Sequence, residues 1–147
     1  MASRIYAFVE YDDSAIFNPA ANGREPFSVV PEAIDFTNYT RLFGGKDYRF
    51  FGAISGIRNG TQEQPLYPLR GLPPNISSEA QGGLDQYFDE KDSGLGWLTL
   101  PEIEAALGHM GYLREDMSLA VNVVLEVMGY LETKLGAGRV RLVFGIH

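Results

Sequence analysis

The sequence predicts a mixed α+β fold, and three observations carry that prediction. Segments rich in β-branched and aromatic residues stand near both ends. A helix start with its own capping residues lies at Thr99, and a long apolar helical run precedes the last β-rich segment. The expected architecture is a small, antiparallel sheet holding both terminal strands, packed against a long C-terminal helix and shorter helices. At 147 residues, the whole chain from 1 to 147 is expected to form one globular domain.

Residues 5–11 read as a strand with Ile5, Ala7 and Val9 on one face and Tyr6, Phe8 and Glu10 on the other. From 12 to about 45 the pairs Asn18-Pro19, Asn22-Gly23 and Gly44-Gly45, with Pro26 and Pro31, predict a long irregular connection holding a short strand at 27–30. Its aromatics, among them Phe17, Phe36 and Phe43, either pin it to the core or offer a binding surface. A short helix over 47–57 can be capped by Asp47 and carries Phe51, Ala53 and Ile54.

Residues 61–76 hold four prolines and a glycine, which predicts an extended loop without a regular element. A weak helix then runs from Ser77 or Ser78 to Phe88, damaged by Gly82-Gly83. Residues 89–96 read as a polar turn. At Thr99-Leu100-Pro101-Glu102 the spacing is that of a capping box, with proline in the first turn where its missing N–H costs nothing. That helix is expected to stop near Leu107, before Gly108 and Gly111.

One further helix is expected over 114–135. Glu115, Ser118, Asn122, Glu126, Gly129 and Thr133 form a single narrow polar stripe, and apolar residues fill most of the remaining circumference. Such a helix is either central in a core or shared with a partner, so a homo-oligomer through 114–135 is one expectation. Gly136 and Gly138 end it, and residues 139–146 alternate Val140, Leu142 and Phe144 against Arg139, Arg141 and Val143 in a last strand.

Composition narrows function mainly by exclusion. The chain has no cysteine, which removes thiol chemistry, disulfides and cysteine-ligated metal and fits a reducing cytoplasm. A formal charge of −7 argues against nucleic-acid binding, although Arg139 and Arg141 could form a small local patch. The first residues do not read as a signal peptide, and no run is long and apolar enough to span a bilayer, so a membrane partner is not expected.

The segment from Phe88 to Ile103 superficially follows a calcium loop entering its exit helix, with Glu102 at the bidentate position. It fails on register, because Lys91, Ser93 and Leu95 then occupy the first three ligand positions. No histidine cluster, nucleophile elbow or phosphate-cradling glycine loop is present, so no catalytic residue, metal or cofactor is expected. Arg70 stands in the restricted setting Arg70-Gly71-Leu72-Pro73-Pro74. It either offers a rigid cation to a carboxylate or phosphate, or ties its loop to a helix end or an acid. Arg70, Tyr67, Trp97, Asp89 and Asp92 are the candidate binding residues.

Three stretches together resemble a family of uncharacterised proteins encoded by tailed phages and prophages. They are Asp47-Tyr48-Arg49-Phe50-Phe51-Gly52-Ala53-Ile54 with Arg58-Asn59-Gly60, then Arg70-Gly71-Leu72-Pro73 with Ser77, then Trp97-Leu98-Thr99-Leu100-Pro101-Glu102-Ile103. The family's His- and Ser-containing stretch before the tryptophan is replaced here by Ser93-Gly94-Leu95-Gly96. The resemblance implies a phage-encoded protein working in the cytoplasm of a bacterial host, and it carries no assigned activity. The leading expectation is therefore a non-enzymatic accessory protein that binds a host protein and possible interference with a host process or defence. The alternatives are a small-molecule binder or small enzyme with a pocket around Arg70 and Trp97, and a structural virion protein.

Overall fold

A computed structural model describes residues 5–12, 27–30, 34–35, 47–56, 64–86, 88 and 94–146. The first and last strands, β1 (Ile5–Tyr11) and β5 (Val140–Ile146), pair antiparallel along their whole length, from Ile5 opposite Ile146 to Tyr11 opposite Val140. Strand β4 (Gly94–Thr99) pairs antiparallel with the other side of β5. Two short strands, β2 (Ser28–Val29) and β3 (Ile34–Asp35), lie along the free side of β1, the first against Glu10 and Tyr11 and the second against Tyr6 and Ala7. The order across the sheet is β2-β1-β5-β4, with β3 also paired to β1. The predicted α+β class and the pairing of the terminal strands both stand.

Side-chain alternation gives the sheet two faces, and both are covered. On one face Ala7, Val9, Leu98, Val140, Leu142, Phe144 and Ile146 pack against three helices. These are α1 (Asp47–Ser55), α3 (Leu100–His109) and α4 (Leu119–Leu135). Helix α1 contributes Phe50, Phe51 and Ile54, α3 contributes Ile103 and Leu107, and α4 contributes Val121, Leu125 and Met128. On the other face Phe8, Leu95 and Val143 pack with Phe88 and with Ala80 and Leu84 of α2 (Ser78–Asp85). The second layer explains why the alternate positions of β1 and β5 are buried rather than wet.

The local signals act as expected at two helix starts, where Thr99 caps α3, with Glu102 completing the capping box, and Ser77 caps α2. Ser118, expected inside a longer helix, instead caps α4. Helix α3 runs on to His109, two residues past the expected stop, with the turn at Gly111 taking a positive φ of 74°. The single helix expected over 114–135 is instead a 3-10 turn, Arg114–Asp116, followed by α4. The break has a polar cause. Asn122 in the first turn of α4 donates to the Arg114 and Ser118 carbonyls (2.9 and 3.1 Å), and the Arg114 side chain returns to Asn122 Oδ1 at 3.1 Å.

The polar turn expected over 89–96 is corrected in its last part, because Gly94-Leu95-Gly96 opens β4. Gly96 is tolerated there because a Cβ would meet Phe144 Cζ at 2.9 Å and Leu69 Cδ2 at 3.0 Å, so no larger residue fits. Residues 89–93 and most of the 12–45 connection lie outside the described residues.

Adjacent glycines of α2 predict opposite outcomes. A Cβ on Gly82 meets nothing within 4 Å, whereas one on Gly83 falls 2.4 Å from Phe8 Cζ. Gly82→Ala should raise stability by about 0.5–1 kcal/mol through helix propensity. Gly83→Ala should lower it by about 1–3 kcal/mol by forcing α2 off the sheet. Urea-unfolding midpoints of the two variants test both signs.

Candidate functional site

The polar chemistry of this molecule gathers on the second face of the sheet, around Trp97 and the segment 69–77. Glu10 and Arg141 are direct cross-strand partners in the β1–β5 register. On the same row, Thr99 of β4 lies opposite Arg141. The side chains of Glu10 and Arg141 are 0% and 5% exposed, so this is a fully desolvated ion pair in the middle of the sheet.

The pair is satisfied almost atom by atom. Glu10 Oε1 accepts from Arg141 Nε at 2.7 Å and lies 2.7 Å from Nη2. Its Oε2 accepts from the Ser77 amide at 2.9 Å and from Ser77 Oγ at 2.6 Å. Arg141 Nη1 donates to Asn75 Oδ1 at 2.9 Å, and Nη2 donates to the Asn75 carbonyl at 3.2 Å. The guanidinium also lies 3.5 Å from the Phe27 ring centroid and 5.6 Å from that of Trp97. Burial pushes the Arg141 pKa down, and the Glu10 charge beside it offsets part of that effect. Arg141 thus belongs to the interior and forms no basic patch with Arg139, which pairs with Asp12 at 3.3 Å.

Ser77 carries the network into α2. Its hydroxyl donates to Glu10 and accepts from the Ala80 amide at 3.2 Å, so one oxygen caps the helix and holds the buried carboxylate. The residue is 2% exposed.

Arg70 is the second cation at Trp97, with its guanidinium 3.8 Å from the ring centroid. Its Nε donates to the Trp97 carbonyl at 2.9 Å. Its Nη1 and Nη2 form a two-pronged clamp on Glu102, at 3.1 and 2.6 Å. Glu102 Oε1 also accepts from the Thr99 amide at 2.9 Å. Partial burial by itself would raise the Glu102 pKa. The Arg70 and Thr99 hydrogen bonds and the Arg70 charge outweigh that effect and hold the carboxyl below its ordinary value of 4.5.

Of the residues singled out from sequence, Arg70 and Trp97 are therefore brought into contact. Tyr67 packs against the opposite core, on the three-helix face. Asp89 and Asp92 lie outside the described residues. Glu10, Arg141, Asn75 and Ser77 were not among the candidate binding residues. The available signal was the placement of an acid and a base on corresponding faces of two strands expected to pair.

The chemistry this arrangement supports is mutual neutralisation. Two arginines meet one tryptophan, and each has its own carboxylate. Among the described residues, no group of three or more His, Asp or Glu side chains is placed to hold a metal ion. No described helix is long and apolar enough to cross a membrane.

The molecule is thus an α+β domain whose sheet carries a neutralised polar centre under a helical cover. Comparison with protein-family models gives no match, and comparison with curated proteins and with solved structures gives no significant one.

The Glu102 environment sets a pH dependence. A carboxyl held below its unfolded value contributes stability that is fully present above the unfolded value and is lost as pH falls through the folded one. The stability difference between wild type and Glu102→Gln, about 0.5–1 kcal/mol near neutrality for a partly exposed pair, should shrink progressively as pH falls below 4.5. Thermal unfolding of both proteins across that range tests the sign.

Proposed function

We propose that this chain is a non-enzymatic binding protein, a phage accessory factor that docks a bacterial host protein through the outer face of α4. The observation that carries the reading is a line of exposed apolar side chains on that helix. Leu119, Val123 and Tyr130 are 68%, 49% and 64% exposed, at helical spacings of four and seven that keep them on one side. Single exposed apolar residues are ordinary on any surface, but a row of them along one helix is the pattern of a recognition face.

The row continues into a shallow apolar depression between α4 and the sheet, lined by Tyr11, Val30, Val127, Tyr130 and Leu131, with Glu126 at its rim. Glu126 is 75% exposed although it pairs with Arg114, and the chain as a whole carries −7. The chemistry that fits is an apolar partner surface edged with lysine or arginine. The motifs around Arg70 and Trp97 that resemble phage proteins support a host protein as that partner. The clamp of Arg70 on Glu102 supports reading Arg70 as a structural cation rather than a ligand-binding one.

The test is affinity capture from a bacterial lysate with wild type and a Val123→Lys/Tyr130→Ser variant. Both sites are exposed, so the variant should unfold within about 0.5 kcal/mol of wild type. The reading expects a partner retained by wild type and lost by the variant. The same proteins captured by both, or none by either, would overturn it. A light-scattering mass above one chain for wild type, falling to one chain for the variant, would instead assign this face to self-assembly.

A further inference from the structure

Among the described residues, strand β4 is an outer strand of the sheet, and no described strand meets its outward backbone groups. Residues Leu95, Trp97 and Thr99 turn those groups away from β5, and each has a partner of a different kind. The Leu95 carbonyl accepts from the Gly71 amide at 3.0 Å. The Trp97 carbonyl accepts from Arg70 Nε at 2.9 Å. The Thr99 amide donates to Glu102 Oε1 at 2.9 Å. One backbone amide, one side-chain N–H and one carboxylate therefore stand where a neighbouring strand would.

The chain reaches this arrangement by wrapping round the edge. Tyr67 and Leu69 pack on the three-helix face, and Leu72 and Ile76 pack on the α2 face, so residues 70 and 71 cross the edge between them. Gly71 makes the crossing with a φ of 74°, which other residues rarely adopt. Leu69 anchors one side in the hollow left by Gly96. The Glu102 clamp and the Trp97 ring hold the other side.

We infer that residues 69–71, with the Arg70 side chain at their centre, are an edge guard that closes β4 against strand addition by a second copy of this chain. The sequence Gly94-Leu95-Gly96-Trp97-Leu98-Thr99 has no charge and no proline, so without the guard it is the kind of edge that pairs with itself. Arginine suits the position because only a fork with Nε in its plane can reach a backbone carbonyl and grip a carboxylate at once. Lysine presents a single point charge. The inference is independent of the α4 reading, since it concerns the other side of the molecule and forbids an association rather than creating one.

The experiment compares wild type, Arg70→Ala, Arg70→Lys and Glu102→Gln by light scattering over a concentration series, with circular dichroism to verify folding. Amide exchange at Leu95 and Trp97 is read by mass spectrometry. The inference expects Arg70→Ala to associate at concentrations where wild type does not, with those amides becoming more protected as association proceeds. Arg70→Lys should associate as well, because the charge alone does not cover the Trp97 carbonyl. Glu102→Gln keeps Arg70 Nε in reach of that carbonyl and should associate less than Arg70→Ala. Folded Arg70→Ala and Arg70→Lys proteins with the mass of wild type at every concentration would overturn the inference. If Arg70→Ala fails to fold, Arg70→Lys decides alone: association supports the inference, and the mass of wild type at every concentration overturns it.

Discussion

The Glu10–Arg141 pair is the constraint on which the remaining organisation depends. Its two residues come from the first and last strands, and it is formed only when those strands lie side by side in one register. Its remaining hydrogen-bonding capacity is taken up by Asn75 and Ser77, which belong to the covering segment. One buried cluster thus joins both ends of the chain to the middle of it. A desolvated pair of this kind is weak evidence for stability, because an apolar replacement could do as well. Its value here is positional. A shift of the β1–β5 register by one residue would turn one of the two charges into the three-helix core, where no described partner waits for it, and leave the other unpaired beneath α2.

The cover over this pair is modest in its own right. Helix α2 has eight residues with two glycines in its interior, and it rests on a core cluster smaller than the one across the sheet. Its position is set less by helix propensity than by the polar contacts at its start. Ser77 serves both the helix end and the carboxylate, so formation of α2 and completion of the ion pair reinforce each other. Trp97 extends the arrangement to β4, meeting Arg141 from the centre of the sheet and Arg70 from its edge. The candidate site is therefore a structural hub, which is why the proposed recognition surface is the apolar row on α4 instead.

Much of the fold was legible in the sequence. Alternation marked β1 and β5 with the correct faces, the Thr99-to-Glu102 spacing marked the start of α3, and Gly136 marked the end of α4. The failures have specific causes. Strand β4 is short and opens with Gly94-Leu95-Gly96, which reads as a turn because the reason for Gly96 lies elsewhere, in Phe144 and Leu69. The expected helix from 114 breaks because Asn122 and Arg114 satisfy each other, and periodicity alone does not register such a contact. Arg141 read as part of a surface patch, and the burial of Glu10 opposite it gave no signal, because strand alternation cannot see that α2 covers that face. Arg70 was legible as a fixed residue, but the identity of its carboxylate partner required the approach of residues 32 positions apart.

A double-mutant cycle on Glu10→Met and Arg141→Met, read by urea unfolding, tests the central role of the buried pair most directly. Each single substitution leaves one charge buried without its partner and should cost about 3–5 kcal/mol. The double substitution removes both charges and should cost less than the sum, with a coupling of about 2–3 kcal/mol. Single costs near 1 kcal/mol that add within about 0.5 kcal/mol would contradict the account. The pair would then be an incidental contact rather than what holds the two layers in register.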